Sequence, residues 1–270
     1  MNSTTITFIG GGNMARALIG GLLGAGTDAG QITVSDPSAD QRRDVADEFG
    51  VTAIADNAVA VRDRRAVVIA VKPQTIAAAL SSIRGELPAS TLVISVAAGT
   101  TLSTLTERLG ADQACVRAMP NTPALYRAGM TGMVPNSRVS VDDRALAEQI
   151  LGAAGDVLWI DDEDQMDAVT AVSGSGPAYF FALTEYLTRA GIEVGLPPGT
   201  AARLARQTAV GAGCMLAESE HEAGDLRRRV TSPGGTTEAA LNSLMGDGFE
   251  AMVARAVKAA VSRGRELGAA

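Results

Sequence analysis

The sequence predicts an α/β fold, with an N-terminal Rossmann-like domain on a parallel sheet over residues 1–160 and an all-α C-terminal domain over 161–270. Three observations carry this. The stretch 5–9, TITFI, is strand-like and hands over at Gly10-x-Gly12-x-x-Ala15 to a helical apolar pattern. Short apolar runs closed by turn residues recur as far as Ile160, as βαβ units require. After Asp161 the apolar spacing is helical only.

Composition narrows the function. With 270 residues, 46% of them hydrophobic and 20% charged, the chain is globular and long enough to bury one large core or two modest ones. A net charge of −7 argues against nucleic acid or an anionic membrane as partner and leaves small molecules open. Cys115 and Cys214 are far apart and form no metal-ligand pattern, so both are expected as reduced, core or near-core thiols of a soluble cytoplasmic protein with no metal site. There is no basic-then-apolar leader, and no apolar run nears the ~18 residues that a membrane span needs. One histidine, His221, and two lysines, Lys72 and Lys258, leave few candidates for chemistry that depends on either.

The first strand ends on Gly10. At such a junction the first glycine makes the tight turn, the second lets backbone approach a pyrophosphate, and the small third residue, here Ala15, lets helix and strand pack closely. Its place between strand and helix predicts a dinucleotide site rather than a glycine-rich turn. The second strand, Gln31 to Ser35, stops at Asp36, Pro37 and Ser38. An acid there accepts hydrogen bonds from the adenosine ribose and repels a 2′-phosphate, favouring NAD over NADP. If Asp36 turned away, Ser35, Ser38, Arg42 and Arg43 would hold that phosphate, unless the arginines only line a solvated face. Asp56-Asn57 is a helix cap or an adenosine-side contact. The run AVVIAVKPQ, 66–74, reads as a buried parallel strand stopped by Lys72-Pro73 at its carboxyl end, where ligands bind in open α/β sheets. Lys72 is a site residue there or an ordinary loop lysine.

The run TLVISVAAGT, 91–100, repeats the pattern, and Ala97, Ala98 and Gly99 leave space for a flat ring. Cys115 to Ala118 leads into MPNTPALY, where Pro120 and Pro123 fix an irregular segment presenting Asn121 and Thr122. Strands near 129–134 and 157–160 complete the sheet.

Asp161 to Asp164 are acids at a helix start, where the macrodipole favours them, rather than a cation site. The helix that follows carries SGSGPAYF, 173–180. Small residues inside a helix cost stability unless something approaches closely, so this patch is expected to face a cofactor or another helix. A second helix spans Leu196 to Leu216. Glu220 and His221 come about ten residues before the next motif, within reach of it in an antiparallel helical arrangement, and Arg227 to Arg229 read as a solvated face. The last helix is Phe249 to Leu267. A bundle this short covers itself poorly, which predicts a homodimer built from the C-terminal half.

The stretch Val230 to Leu241, VTSPGGTTEAAL, runs two glycines into a helix start. Its backbone N–H groups form an anion site, and the hydroxyls of Ser232, Thr236 and Thr237 surround it, which suits a small carboxylate; a well-capped helix after a tight turn is the alternative. With a nicotinamide in the first half and an acid clamp in the second, the substrate is a small acid changed by hydride transfer. Reducing a ketone calls for a proton donor, usually His or Lys, and these are scarce here; Tyr126, Tyr179 and Tyr186 remain. A protonated imine needs no donor, only positioning and a hydrogen bond to its nitrogen.

The motifs FIGGGNMA, AVKP, ISVAAGT, MPNTP, SGSGPAY and VTSPGGTT, in this order over essentially the whole chain, resemble those of the pyrroline-5-carboxylate reductases. The resemblance implies an enzyme that reduces a cyclic imine, pyrroline-5-carboxylate, to proline, the last step of proline biosynthesis. It also implies a dimer of interlocked helices, often assembled into larger rings such as a decamer. The substrate carboxylate would lie on Ser232 and the amides around Gly235, Thr236 and Thr237, with the Thr237 hydroxyl on the imine nitrogen, Glu220 near the ring, and Val230 and Arg229 beside the nicotinamide. The cofactor half of the pattern maps onto Gly10, Gly12, Asn13, Met14, Ser35, Asp36, Ser38, Asn57, Ala70, Val71, Lys72, Ala97, Ala98 and Asn121. NADPH is the cofactor implied; Asp36, where members often carry a neutral residue, leaves NADH open. A β-hydroxyacid dehydrogenase is the other enzyme reading, but its helical lysine has no counterpart between Asp161 and Arg255. A non-catalytic NAD(P)-binding sensor would have no use for an acid clamp.

Overall fold

The computed structural model describes residues 4–268. The described residues divide into two compact units, one of 4–174 with 260–268, the other Ser175–Ala259. Compactness thus groups residues 161–174 with the sheet, beyond the point where the sequence pattern changes.

The sheet unit contains β1 (Ile6–Ile9), β2 (Ile32–Ser35), β3 (Thr52–Ile54), β4 (Ala66–Ile69), β5 (Leu92–Ser95), β6 (Cys115–Met119), β7 (Gly129–Pro135) and β8 (Gly155–Trp159). They form one sheet in the order β3-β2-β1-β4-β5-β6-β7-β8. From β3 to β6 every neighbour is parallel. β7 runs antiparallel to β6, and β8 lies parallel to β7. The expected Rossmann-like sheet is therefore present and mostly parallel, with one reversal and one more strand than the apolar runs indicate. That extra strand, β3, is three residues with an exposed Thr52, too short and too little buried to leave a hydrophobic signature.

The helices of this unit are α1 (Asn13–Gly24), α2 (Ala39–Phe49), α3 (Asn57–Ala60), α4 (Ile76–Ile83), α5 (Leu102–Leu109), α6 (Val141–Gly152) and α7 (Met166–Val169). Because side chains alternate across a strand, each central strand feeds two cores. Ile6, Phe8, Val68, Leu92 and Ile94 join residues of α1 and α6 in one; Ile9, Val67, Ile69 and Val93 join residues of α4 and α5 in the other. The chain winds from β1 to β2 and β3 on one side, then returns to β4 on the other. The carboxyl ends of β1 and β4 therefore flank the crevice in which open α/β sheets take ligands.

The helical unit comprises α8 (Gly176–Glu193), α9 (Pro198–Glu218), α10 (Ala223–Arg229), α11 (Thr236–Gly246) and the first part of α12 (Phe249–Gly268). α8 and α9 form a tight hairpin in which a Cβ on Gly191 would lie 3.2 Å from that of Ala201. Two expectations need correcting. The first small residues of SGSGPAY, Ser173 to Ser175, are not inside a regular helix: 170–174 form a π-helical turn, Ser175 is a bend, and α8 starts afterwards at Gly176. Cys214 is exposed on α9, and only Cys115 is buried.

β4 and α6 are tied by a charged contact. Ser140 caps α6, its hydroxyl accepting from Asp143 N at 3.1 Å, while the Asp143 carboxylate accepts from Ser140 N at 3.0 Å and from Arg65 at 2.7 Å. Burial alone would raise the carboxyl; the hydrogen bonds from Ser140 and Arg65 outweigh it and hold Asp143 below the ordinary carboxylate range. Its contribution to stability is thus present at neutral pH and lost as pH falls through that lowered value. Asp143→Asn should destabilise the protein by about 1–3 kcal/mol at pH 7. Denaturant titrations should show the gap between variant and wild type narrowing as the medium is acidified through the carboxylate range.

Candidate active site

Three strand ends converge at Gly10. Its N–H donates to Ser35 O at 2.7 Å, and Ala70 N donates to Ile9 O at 2.8 Å. Gly10 has φ +100°, and a Cβ there would sit 2.7 Å from Ala70 O and 3.1 Å from a methyl of Val71. Only glycine fits this turn. Gly12 differs: its backbone is extended, and an added Cβ would meet nothing within 4 Å. It stands at the start of α1, which has no side-chain cap, so the first N–H groups of the helix, at Asn13 and Met14, face open space. An uncapped helix start behind a residue with no side chain fits a pyrophosphate, and Ala15, fully buried, keeps α1 close to the sheet.

At the end of β2 the Asp36 carboxylate turns toward this turn, accepting from Gly11 N at 2.9 Å and from Ser38 N at 2.9 Å. Ser35 is buried and its hydroxyl donates to Asn57 Oδ1 at 2.7 Å; Asn57 in turn donates to Ser82 at 3.0 Å. The Ser38 hydroxyl caps α2, and Asp56 caps α3. Arg42 is not a freely solvated side chain, because its guanidinium donates to the carbonyls of Asp36 and Pro37. Arg43 is exposed and pairs with Asp40.

Ala70 is half-buried and Lys72 exposed at the end of β4; past β5, Ala97 is buried and Ala98 exposed. The Asn121 side chain is engaged at both ends, accepting from Met130 N at 2.9 Å and donating to Ser173 O at 3.0 Å, so it braces the π-helical turn. Of the expected helix-start acids, Asp162 caps the turn at 163–165, whereas Glu163 accepts from Arg117 and from Leu102 N, both at 2.8 Å. Cys115 is chemically quiet, its thiol pushed up to about 12 by burial.

In the helical unit, Gly234 has φ +70°, and Gly235 N donates to Ser232 O at 3.0 Å, closing a turn that delivers the chain to α11. Gly235 is the N-cap residue and α11 has no side-chain cap, so the first-turn N–H groups at Thr236 and Thr237 are free for an anion. Ser232 and Thr236 are exposed and Thr237 is half-buried. Val230 and Arg229 are exposed at the end of α10. Glu220 and His221 lie exposed on the connection between α9 and α10.

Two residues inside the motifs quoted from the sequence hold contacts not assigned from it. Gly11 supplies the N–H that orients Asp36, and Glu238 reaches back to accept from Gly234 N at 2.8 Å, holding the turn. The second carried a signal, a glutamate one helical turn after a glycine pair at a helix start. The first carried none, because backbone donors look alike in sequence.

The contrast between the two glycines is testable. Gly12→Val should keep the fold, with melting lowered by no more than the cost of a poor N-cap, about 1 kcal/mol. Fluorescence titration should show dinucleotide binding weakened at least about tenfold, a loss of roughly 1.4 kcal/mol. Binding equal to wild type would remove the turn from the site.

Comparison with known proteins converges on one family. A family model described as pyrroline-5-carboxylate reductase dimerisation matches residues 163–267, and one described as NADP oxidoreductase, coenzyme F420-dependent, matches 5–99. The chain is 50% identical to the pyrroline-5-carboxylate reductase of Pseudomonas aeruginosa over 267 residues, covering 99% of this chain and 98% of that one. It is 38% identical to that of Escherichia coli, with 97% of each covered. Among solved structures, a pyrroline-5-carboxylate reductase from Coxiella burnetii superposes with TM-score 0.95 at 41% identity, covering 98% of this chain and 99% of the other. The Plasmodium falciparum pyrroline carboxylate reductase, solved with NADP bound, superposes with TM-score 0.85 at 30% identity over 99% of both chains. Paired with a glycine turn open to a pyrophosphate and a helix start open to a carboxylate, these likenesses place the chain in the pyrroline-5-carboxylate reductase family.

Proposed function

We propose that the chain reduces the C=N bond of 1-pyrroline-5-carboxylate to L-proline, the closing step of proline biosynthesis, using a reduced nicotinamide dinucleotide. The observation that carries the reading is the uncapped start of α11 behind the Ser232–Gly235 turn, in a chain that has one histidine, exposed, to offer as a proton donor. The first-turn amides at Thr236 and Thr237, with the Ser232 hydroxyl, bind the substrate carboxylate. The Thr237 hydroxyl accepts from the protonated ring nitrogen and fixes which ring atom is presented for reduction. Because that nitrogen already holds its proton, no acid has to supply one at the reacting carbon.

The dinucleotide, when bound, supplies the hydride. The first-turn amides of α1 past Gly12 would hold its pyrophosphate, Asp36 would face its adenosine, and Ala97 would leave room for a flat ring at the end of β5. Glu220, Val230 and Arg229 stand at the edge of this chemistry as substrate- and cofactor-side contacts.

The working form is a homodimer through the helical unit. Among the described residues, the only buried ones in 175–259 are Gly176, Ala201 and Ala205, while Phe180, Phe181, Tyr186 and Leu204 are exposed. A helical layer with so little core of its own is completed by a second copy. Analytical ultracentrifugation should return a dimer or a multiple of it, and a monomer at micromolar concentration would count against this arrangement.

The decisive assay follows consumption of NADH or NADPH with pyrroline-5-carboxylate and detects proline as product; no turnover with either cofactor would reject the function. Thr237→Ala should lower kcat by about ten- to a hundredfold, the loss of one positioned hydrogen bond, while dinucleotide affinity stays within about twofold. Thr237→Ser, which keeps the hydroxyl, should recover most of the rate. Equal loss of turnover and dinucleotide binding would contradict the role given to this hydroxyl.

A further inference from the structure

We propose that Asp36 makes this chain select NADH over NADPH, because its carboxylate offers acceptors to a ribose diol and only repulsion to a 2′-phosphate. The inference rests on the dinucleotide reading of the β1–α1 turn and adds which dinucleotide that turn takes.

The side chain is fixed before any ligand arrives. Asp36 N donates to Ile54 O at 3.1 Å, Oδ2 accepts from Gly11 N at 2.9 Å, and Oδ1 accepts from Ser38 N at 2.9 Å. Three backbone contacts thus hold a half-buried carboxylate against the loop where the adenosine end of a dinucleotide lies. An ionised carboxylate has about four acceptor positions. One on each oxygen is filled by backbone, leaving one on each oxygen for the two hydroxyls of a vicinal diol. A 2′-phosphate at neutral pH carries roughly −1.5 to −2 charge and has almost no proton to donate. It would meet a fixed negative group that it cannot hydrogen-bond.

The groups that could offset this repulsion each already have a protein partner. Arg42 Nη1 donates to the carbonyls of Asp36 and Pro37 at 2.8 and 3.0 Å, which holds the guanidinium on the loop backbone. Arg43 pairs with Asp40 at 3.3 Å. The Ser35 hydroxyl is buried against Asn57, and that of Ser38 accepts from Gln41 N. The residues that would hold a phosphate if Asp36 turned away surround an Asp36 that turns inward.

Calorimetric titration of the full chain with NADH, NADPH, 5′-AMP and 2′,5′-ADP tests this; the last two lack the nicotinamide and report the adenosine end alone. Wild type should bind the 2′-phosphorylated member of each pair at least about tenfold more weakly. Asp36→Asn, which keeps the shape and one acceptor oxygen, and Asp36→Ser, which clears the space, should each narrow that ratio or reverse it. Wild-type binding of NADPH as tight as or tighter than NADH would overturn the assignment, whatever the variants do, and so would a ratio unmoved in both variants. If neither dinucleotide bound, the site itself would be rejected, an outcome distinct from binding of both with the phosphate preferred.

Discussion

The closeness of two backbones at Gly10 is the constraint on which the cofactor half depends. Gly10 N donates to Ser35 O at the end of β2, and the Cβ it lacks would lie 2.7 Å from Ala70 O at the end of β4. One residue therefore sets the separation of β1 from both neighbours at the point where the winding of the sheet reverses. The aim of α1 follows from it, and with that the direction of the free N–H groups at Asn13 and Met14. The orientation of Asp36 follows too, because the next residue, Gly11, supplies its hydrogen bond.

The two units solve the same problem with the same device. Each presents a helix start without a side-chain cap, α1 behind Gly12 and α11 behind Gly235, and each uses glycine to keep the approach open. Ser38, Thr101 and Ser140 cap α2, α5 and α6, whereas α4, α8 and α9 also start without a side-chain cap. Withholding a cap costs some stability, and what sets α1 and α11 apart from the other helices without a side-chain cap is the glycine at the N-cap position, Gly12 and Gly235, which leaves the first-turn amides uncovered. In α11 the turn is still braced, by Glu238 on Gly234 N, without covering the amides at Thr236 and Thr237.

Much of this was legible in the residues. Six of the eight strands, β1, β2 and β4 to β7, leave apolar runs because they are largely buried on both faces, and the glycine turn and late helix start carry their own spacing signals. What stayed hidden depends on long-range placement. The three residues of β3 pair with β2 without a buried face of their own to announce them. The reversal at β7 has no counterpart in apolar content, since a strand reads alike in either direction. The π-helical turn at 170–174 depends on Asn121, about fifty residues earlier in the chain, reaching Ser173 O. For Asp36 the residue type signalled a role, whereas which way the carboxylate turned depended on two backbone amides that no side chain betrays.

The two outermost strands also bear on how the protein behaves when crowded. An open sheet leaves unpaired backbone at each margin, where another chain can add itself and start a fibre. Here one margin is β3, only three residues long, which offers too short a template to grip a newcomer. The other, β8, bears Asp156, whose carboxylate takes the N–H of Val157, and ends at Trp159, pinned by Glu148 and overlain by Arg144. Growth by strand addition is thereby discouraged on both flanks of the sheet.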